Sequence, residues 1–225
     1  MTTSDQAPTG ERIPGGKRRG RRVVVAAILG AVLVGGGVAL WEGFLRDRFV
    51  PKRWGEVVPG KVYRSGQLSA RLVEPMLREH GIRLVIDLTG GGQSDDQLAE
   101  VRACEALGIE RLVMNLAGDG TGDLDVYVLA IERLHRAGRE GTPVLVHCAA
   151  GAQRTGGVFA IFRALFEERT PRFVFDEMQQ YDWKPGKDRA VVDYLNRNMA
   201  ELVRRLVERK VLESPPERLP VFIAE

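Results

Sequence analysis

Cys148 and Arg154 stand six positions apart in VLVHCAAGAQRTG (144–156), and those two residue types at that spacing suit the capture and attack of a tetrahedral anion. Val144, Leu145 and Val146 are strand formers that run into His147 and Cys148; an apolar helical pattern begins at Thr155. A cysteine between a strand and a helix lies at a helix N-terminus, where orphan N–H groups and the helix dipole favour negative charge. With a cation nearby, a thiol pKa falls from about 8.5 into the ~3.5–7.5 range, so Cys148 is expected as a thiolate nucleophile. The intervening residues Ala149, Ala150, Gly151, Ala152 and Gln153 carry no charge. Their small side chains let backbone amides wrap an oxyanion, and Gly151 can take a positive φ. Arg154 adds a planar fork that holds two oxygens of a phosphoryl group at once. Thr155 can donate a hydrogen bond to the thiolate and favour its later departure. His147 points the opposite way along the strand and is expected to order the loop rather than act as a base. A lone cysteine is most often a buried small hydrophobe. The conjunction of strand, His-Cys, small loop, Arg-Thr-Gly and apolar helix outweighs that plainer alternative.

The elements around this loop alternate. Strands are expected at Lys61–Arg64, Arg83–Leu88, Glu110–Leu116 and Val144–His147. Helices are expected from Ser69 or Glu74 to His80, from Asp95 or Asp96 to Leu107, from Asp123 to Ala137 and from Thr155 to Phe166. Two more follow, from Pro171 to Tyr181 and from Asp188 to Leu212. The pattern predicts an α/β fold, a central mostly parallel sheet flanked by helices, with ligands bound beyond the carboxyl ends of the strands.

The 225 residues, 44% hydrophobic and 28% charged, suit one globular domain with appendages. The net charge of +3 is concentrated in residues 1–22, where Arg12, Lys17, Arg18, Arg19, Arg21 and Arg22 face only Asp5 and Glu11. The rest of the chain is slightly acidic, which removes the support for nucleic-acid binding. Two cysteines make no disulfide framework. Three scattered histidines, without CxxC or HExxH spacing, give no reason to expect a metal or other cofactor.

Residues 1–22 read as a disordered basic N-terminus. Residues 23–41, VVVAAILGAVLVGGGVALW, are uncharged and close to the ~20 residues that cross a bilayer as a helix. A cleaved signal peptide has a shorter apolar core and a small-x-small site, so an uncleaved single-pass transmembrane anchor is expected. The preceding basic cluster places 1–22 in the cytoplasm and the body outside it, although Arg46, Arg48, Lys52 and Arg53 blur the asymmetry. A linker (42–56), a catalytic domain (57–213) and a loose, proline-containing tail (214–225) complete the expected organisation.

HCAAGAQRTG resembles the HCxxGxxR[ST]G signature of the cysteine-dependent protein tyrosine phosphatase superfamily. The segment VYRSGQLS…HGIRLVIDLTG (62–90) is similar to the opening of its compact dual-specificity branch, and the likeness covers about Gly55 to Tyr194. The resemblance implies a phosphocysteine at Cys148, with the phosphoryl oxygens held by the loop amides and Arg154. It also implies a carboxylic acid on a loop before that strand, to protonate the leaving oxygen. Asp119, Asp123 and Asp125 in GDGTGDLD are the candidates. Asp123 and Asp125 suit a helix cap and first turn, so Asp119, 29 residues before Cys148, is preferred over Asp123. The implied partner is a phosphorylated protein or a small phosphomonoester. The uncharged loop argues against a highly phosphorylated inositol or phosphoinositide, for which Lys184, Lys187 and Arg189 would have to supply charge. A rhodanese-like sulfurtransferase and a non-catalytic phosphate-binding module are the rivals. Cys104 reads as a buried hydrophobe, with a reversible disulfide to Cys148 as the alternative.

Overall fold

A computed structural model describes residues 16–41 and 45–222, with side chains from Ile28 onward. Two compact units divide the chain at Arg46/Asp47. The first contains helix α1 (Gly16–Leu40), and the short helix α2 (Arg46–Phe49) leads into the second. The second carries β1 (Gly55–Val58), β2 (Val62–Gly66), α3 (Val73–Glu79), β3 (Leu84–Asp87), α4 (Asp95–Leu107) and β4 (Glu110–Val113). It continues through α5 (Leu124–Glu140), β5 (Val144–Cys148), α6 (Gln153–Phe166), α7 (Pro171–Gln180) and α8 (Arg189–Glu208).

The five strands form one sheet in the order β1-β2-β5-β3-β4. β2, β5, β3 and β4 are parallel, and β1 is an antiparallel edge. β5 is central and buried along its whole length, as a near-continuous apolar run requires in a sheet covered on both faces. Alternation along β5 sends Val144, Val146 and Cys148 into the layer built by α5, α6, α7 and α8, and Leu145 into the layer of α3 and α4. Helix ends follow the chain chemistry. Ser94 caps α4 and Asp123 caps α5, each accepting a backbone N–H, and Gly108 and Gly141 close those helices in the left-handed conformation.

The α/β class with a mostly parallel sheet matches the expectation from sequence. The differences are local. β1 adds a strand across the boundary between the expected linker and domain, held by the pairs Gly55↔Arg64 and Glu56↔Tyr63. α3 starts at Val73, so Pro75 falls in the first turn, where its missing N–H is tolerated. α6 starts two residues before Thr155, α8 stops at Glu208, and β4 stops at Val113 with single bridges at Asn115 and Leu116 beyond it. Within the tail, residues 214–221 have no helix or strand, and Phe222 is buried. That side chain is 2% exposed, and its backbone exchanges two hydrogen bonds with the Asn196 amide, at 2.6 and 2.7 Å.

The expected anchor coincides with α1, which begins at Gly16, earlier than the apolar segment. Among the described residues no helix is long and apolar enough to cross a membrane, and the side chains of 23–27 lie outside them. Residues 1–15 and 42–44, and 223–225 of the tail, also lie outside the described residues.

Docking of Phe222 on α8 has a measurable consequence. Phe222→Ala is expected to lower the unfolding free energy by roughly 3 kcal/mol, the usual cost of emptying a buried aromatic site. Urea unfolding checks it, and an unchanged midpoint contradicts the docking.

Candidate active site

Cys148 ends β5, and residues 149–152 carry the chain into α6. The sulfur is 1% exposed and accepts a hydrogen bond from the Gly151 amide at 3.1 Å. Gly151 has φ +80°, and a Cβ there would come within 2.5 Å of the Gly66 nitrogen, so only glycine fits. Ala152, at the boundary of α6, brings no capping side chain, so the first amides of that helix keep their capacity for an anion.

Burial works against a charged Cys148. The Thr155 hydroxyl and amide, the Gly151 amide and the Arg154 charge outweigh it, and the thiol is held below its ordinary pKa. Thr155 is buried, and its Oγ1 makes no aligned hydrogen bond with any described group, so it acts on the sulfur by proximity. Arg154 donates to the Leu88 carbonyl at 3.3 Å, while its Nε has no acceptor among the described residues. Ala149 is exposed, and Ala150, Gln153 and Arg154 are half-buried at the loop surface.

The three carboxylate candidates separate by their partners. Asp123 Oδ1 accepts the Asp125 amide at 2.9 Å as the cap of α5. Asp125 is ion-paired with Arg205 at 2.8 Å. Asp119 bonds only within its own loop, accepting the Thr121 amide and hydroxyl at 2.9 and 2.8 Å. Those two bonds hold its carboxyl below the usual range. The loop is pinned from beneath by the buried Tyr127, whose hydroxyl donates to the Gly120 carbonyl at 2.6 Å. Burial raises the Tyr127 pKa, and the charges of Cys148, Asp119 and Arg154 all bear on it.

His147 faces the other side of the sheet, as alternation along β5 requires. Its Nε2 is 3.1 Å from Glu100 Oε2, an ion-pair contact without hydrogen-bond alignment. Arg111 donates to Glu100 at 2.8 Å and to Asp87 at 2.6 Å, both carboxylates being buried. Ligand atoms of Asp87, Glu100 and His147 all lie within 4.8 Å of one another, close enough for a metal. The guanidinium already occupies an oxygen of each carboxylate, so this is an ion network and a poor metal cage. Two carboxylates against one arginine leave a negative charge over, which a protonated imidazole cancels. Burial alone would lower the His147 pKa, but the charge and contact of Glu100 and the charge of Asp87 raise it to about 8. Burial would likewise raise that of Glu100, but His147 and Arg111 bring it down to about 2.

Both thiols are free. Cys104 packs in the α3–α4 layer, across the sheet from Cys148, and burial pushes its thiol up to about 12, which leaves it protonated and unreactive. Lys184, Lys187 and Arg189 are exposed, and the turn they flank is closed by Asp188 accepting the Lys184 amide at 2.9 Å. Two arginines for which the sequence suggested no part in the site touch the loop: Arg53 donates to the Ala150 carbonyl at 2.6 Å and Arg64 to the Gly151 carbonyl at 3.1 Å. In sequence Arg53 reads only as a charge flanking the apolar segment, and Arg64 only as the end of a strand.

The sequence pattern described as the tyrosine phosphatase family matches residues 49–170. No curated protein matches. Solved structures do. TpbA of P. aeruginosa is 23% identical over 64% of this chain and 83% of its own, with a TM-score of 0.52. The core catalytic domain of the PP-IP phosphatase SIW14 from S. cerevisiae is 18% identical over 72% and 95%, with a TM-score of 0.56. PTPMT1 is 14% identical over 69% and 99%, with a TM-score of 0.53. At these identities the structural likeness establishes the fold.

The ion network predicts a stability profile with two flanks. A raised imidazole pKa stabilises the fold below pH 6.5, and that contribution, ~2 kcal/mol for a shift of this size, is lost as pH climbs through about 8. A depressed carboxyl pKa stabilises above pH 4.5, and that contribution is lost as pH falls toward about 2. Urea midpoints should be highest between those limits, and Glu100→Gln should flatten the alkaline flank. A Glu100→Gln protein with the wild-type loss above pH 7 contradicts the assignment.

Proposed function

The chain belongs to the tyrosine phosphatase family, and from that premise we propose that it is a phosphomonoester hydrolase acting on phosphotyrosine, or on phosphotyrosine together with phosphoserine and phosphothreonine, through a phosphocysteine at Cys148. The observation that carries the reading is a buried thiol held below its ordinary pKa by the Gly151 amide, Thr155 and Arg154 at the start of α6. The Cys148 thiolate attacks phosphorus in line with the ester oxygen. The amides of 149–153 and the Arg154 fork hold the non-bridging oxygens as charge redistributes. Asp119 gives its proton to the leaving oxygen. It then takes one from the water that attacks the phosphocysteine, which releases phosphate and restores the thiolate.

Asp119 accepts two donors in this conformation, which suits the second step, where it is a carboxylate. The first step needs it protonated, so it must part from Thr121 when the substrate dianion arrives. The uncharged loop suits a single phosphoryl group. SIW14, a PP-IP phosphatase, keeps an inositol pyrophosphate or phosphoinositide as the competing substrate class. A non-catalytic phosphate-binding module would have no use for a thiol held below its ordinary pKa at the start of α6.

We also propose that residues 23–41 tie the enzyme to a membrane, with the catalytic domain on the extracytoplasmic side. The described part of that helix supports this, since every side chain from Ile28 to Trp41 is exposed, including Leu33, Val34 and Val38. An all-round apolar surface is costly in water.

The full chain should hydrolyse p-nitrophenyl phosphate without added metal, and Cys148→Ser should abolish turnover. Equal rates for the two proteins overturn the reading. Asp119→Asn should slow alkyl phosphates by about 100-fold and aryl phosphates less, and should remove the alkaline limb of the pH–rate profile. An unaltered profile moves the acid to Asp123. Preference for phosphotyrosine peptide over inositol pyrophosphate by kcat/KM is the expected order, and the reverse order selects the competing class.

A further inference from the structure

A loop that binds an oxyanion through N–H groups must turn its carbonyls the other way, because the peptide unit is rigid and trans. Three successive carbonyls of this loop are taken by donors from one short stretch, residues 53–67. The Gln67 amide donates to Ala149 O at 3.2 Å, Arg53 Nη1 to Ala150 O at 2.6 Å and Arg64 Nη2 to Gly151 O at 3.1 Å. The carbonyl of Ala150 shares its peptide plane with the N–H of Gly151, the group that donates to Cys148 Sγ at 3.1 Å. Whatever holds that carbonyl outward also holds that N–H on the sulfur. The carbonyl of Gly151 is likewise in one plane with the N–H of Ala152, at the opening of α6.

Both arginines are themselves held. Asp182 accepts Arg53 Nε at 2.9 Å and pairs with Nη2 at 2.7 Å. The neighbouring Tyr181 ring lies over the Arg64 guanidinium at 3.7 Å, with Phe159 of α6 at 5.3 Å. Tyr181 and Asp182 follow α7, which Arg163 of α6 secures through Glu177 at 2.7 Å. Arg64 is fully buried, and its Nε and Nη1 have no acceptor among the described residues. Burial lowers its pKa to about 10, which still leaves it charged at neutral pH. A buried guanidinium with two idle donors is an expensive way to fill space beside two rings, and an apolar side chain would do that at lower cost.

Resting on the phosphatase reading of this loop, we propose that Arg53 and Arg64 are positioning residues that fix the peptide planes of the phosphate loop, Arg53 by keeping the Gly151 amide on the Cys148 thiolate. They act through the carbonyls of Ala150 and Gly151, and Asp182 and Tyr181 keep them in place.

Two readouts that need no turnover test this on the full chain: calorimetric titration with inorganic phosphate, and the pH dependence of Cys148 alkylation by iodoacetamide, followed by mass spectrometry. Arg53→Met should weaken phosphate binding by about tenfold or more and move the alkylation midpoint to higher pH, as expected for losing a charged hydrogen bond. Arg53→Lys, which can still donate to Ala150 O, should recover most of both. Arg64→Met should weaken phosphate binding in the same direction; if that variant does not fold, the two Arg53 variants decide alone. Phosphate affinity and alkylation midpoint of Arg53→Met equal to wild type, in protein with a native circular dichroism spectrum, overturn the proposal. Loss in Arg53→Met that Arg53→Lys fails to restore overturns it as well. Should the wild type bind phosphate and respond to Arg53 as stated, yet hydrolyse no phosphate ester, the phosphatase reading fails while the clamp stands.

Discussion

A negative sulfur inside a protein wall survives only if fixed dipoles take the place of water, and that requirement governs the architecture around Cys148. Burial opposes the thiolate, and the Gly151 amide, the Thr155 hydroxyl and amide and the Arg154 charge outweigh burial. Each donor depends on a backbone position. Gly151 must adopt a left-handed φ against the backbone of Ser65 and Gly66, and Thr155 and Arg154 must lie in the first turn of α6. A parallel sheet with β5 at its centre delivers all of them to one carboxyl end.

The same strand carries opposite chemistry on its two faces. On one, Cys148 meets donors for a mobile phosphoryl group. On the other, His147 closes a buried network with Glu100, Arg111 and Asp87 that joins β5 to α4, β4 and β3. Such a network contributes less net stability than its contacts suggest, because four groups have left water. Its geometric effect is clearer: it holds the end of β5 from behind, so that a loop of small residues starts from a rigid base.

The part of the site that lies within a few residues of Cys148 was legible in sequence, because local spacing there implies spatial proximity. Strand, small loop, Arg154, Thr155 and apolar helix follow one another without a gap. Asp123 was recognisable as a cap because capping is also local, and its bond to the Asp125 amide bears that out. The groups that were missed act across long stretches of chain. Arg53 and Arg64 reach the loop from 97 and 87 residues away, and Arg53 sat in what read as a linker. Glu100 carried no signal in the sequence that His147 of β5 would meet it. Phe222 sat beyond the last helix, and its two hydrogen bonds to Asn196 span 26 residues of chain. Periodicity reports which face of an element is buried, and it carries no information on which distant polar group meets that face.

The proposed hydrolysis turns on one covalent event at one sulfur. Acid quench of the full chain during turnover of p-nitrophenyl phosphate, followed by peptide mapping under mildly acidic conditions, tests it directly. A phosphoryl adduct on the peptide that carries Cys148, absent from the peptide that carries Cys104 and absent in Cys148→Ser, is the predicted result. Sustained turnover with no adduct at Cys148 at any quench time, or an adduct on another residue, would contradict it.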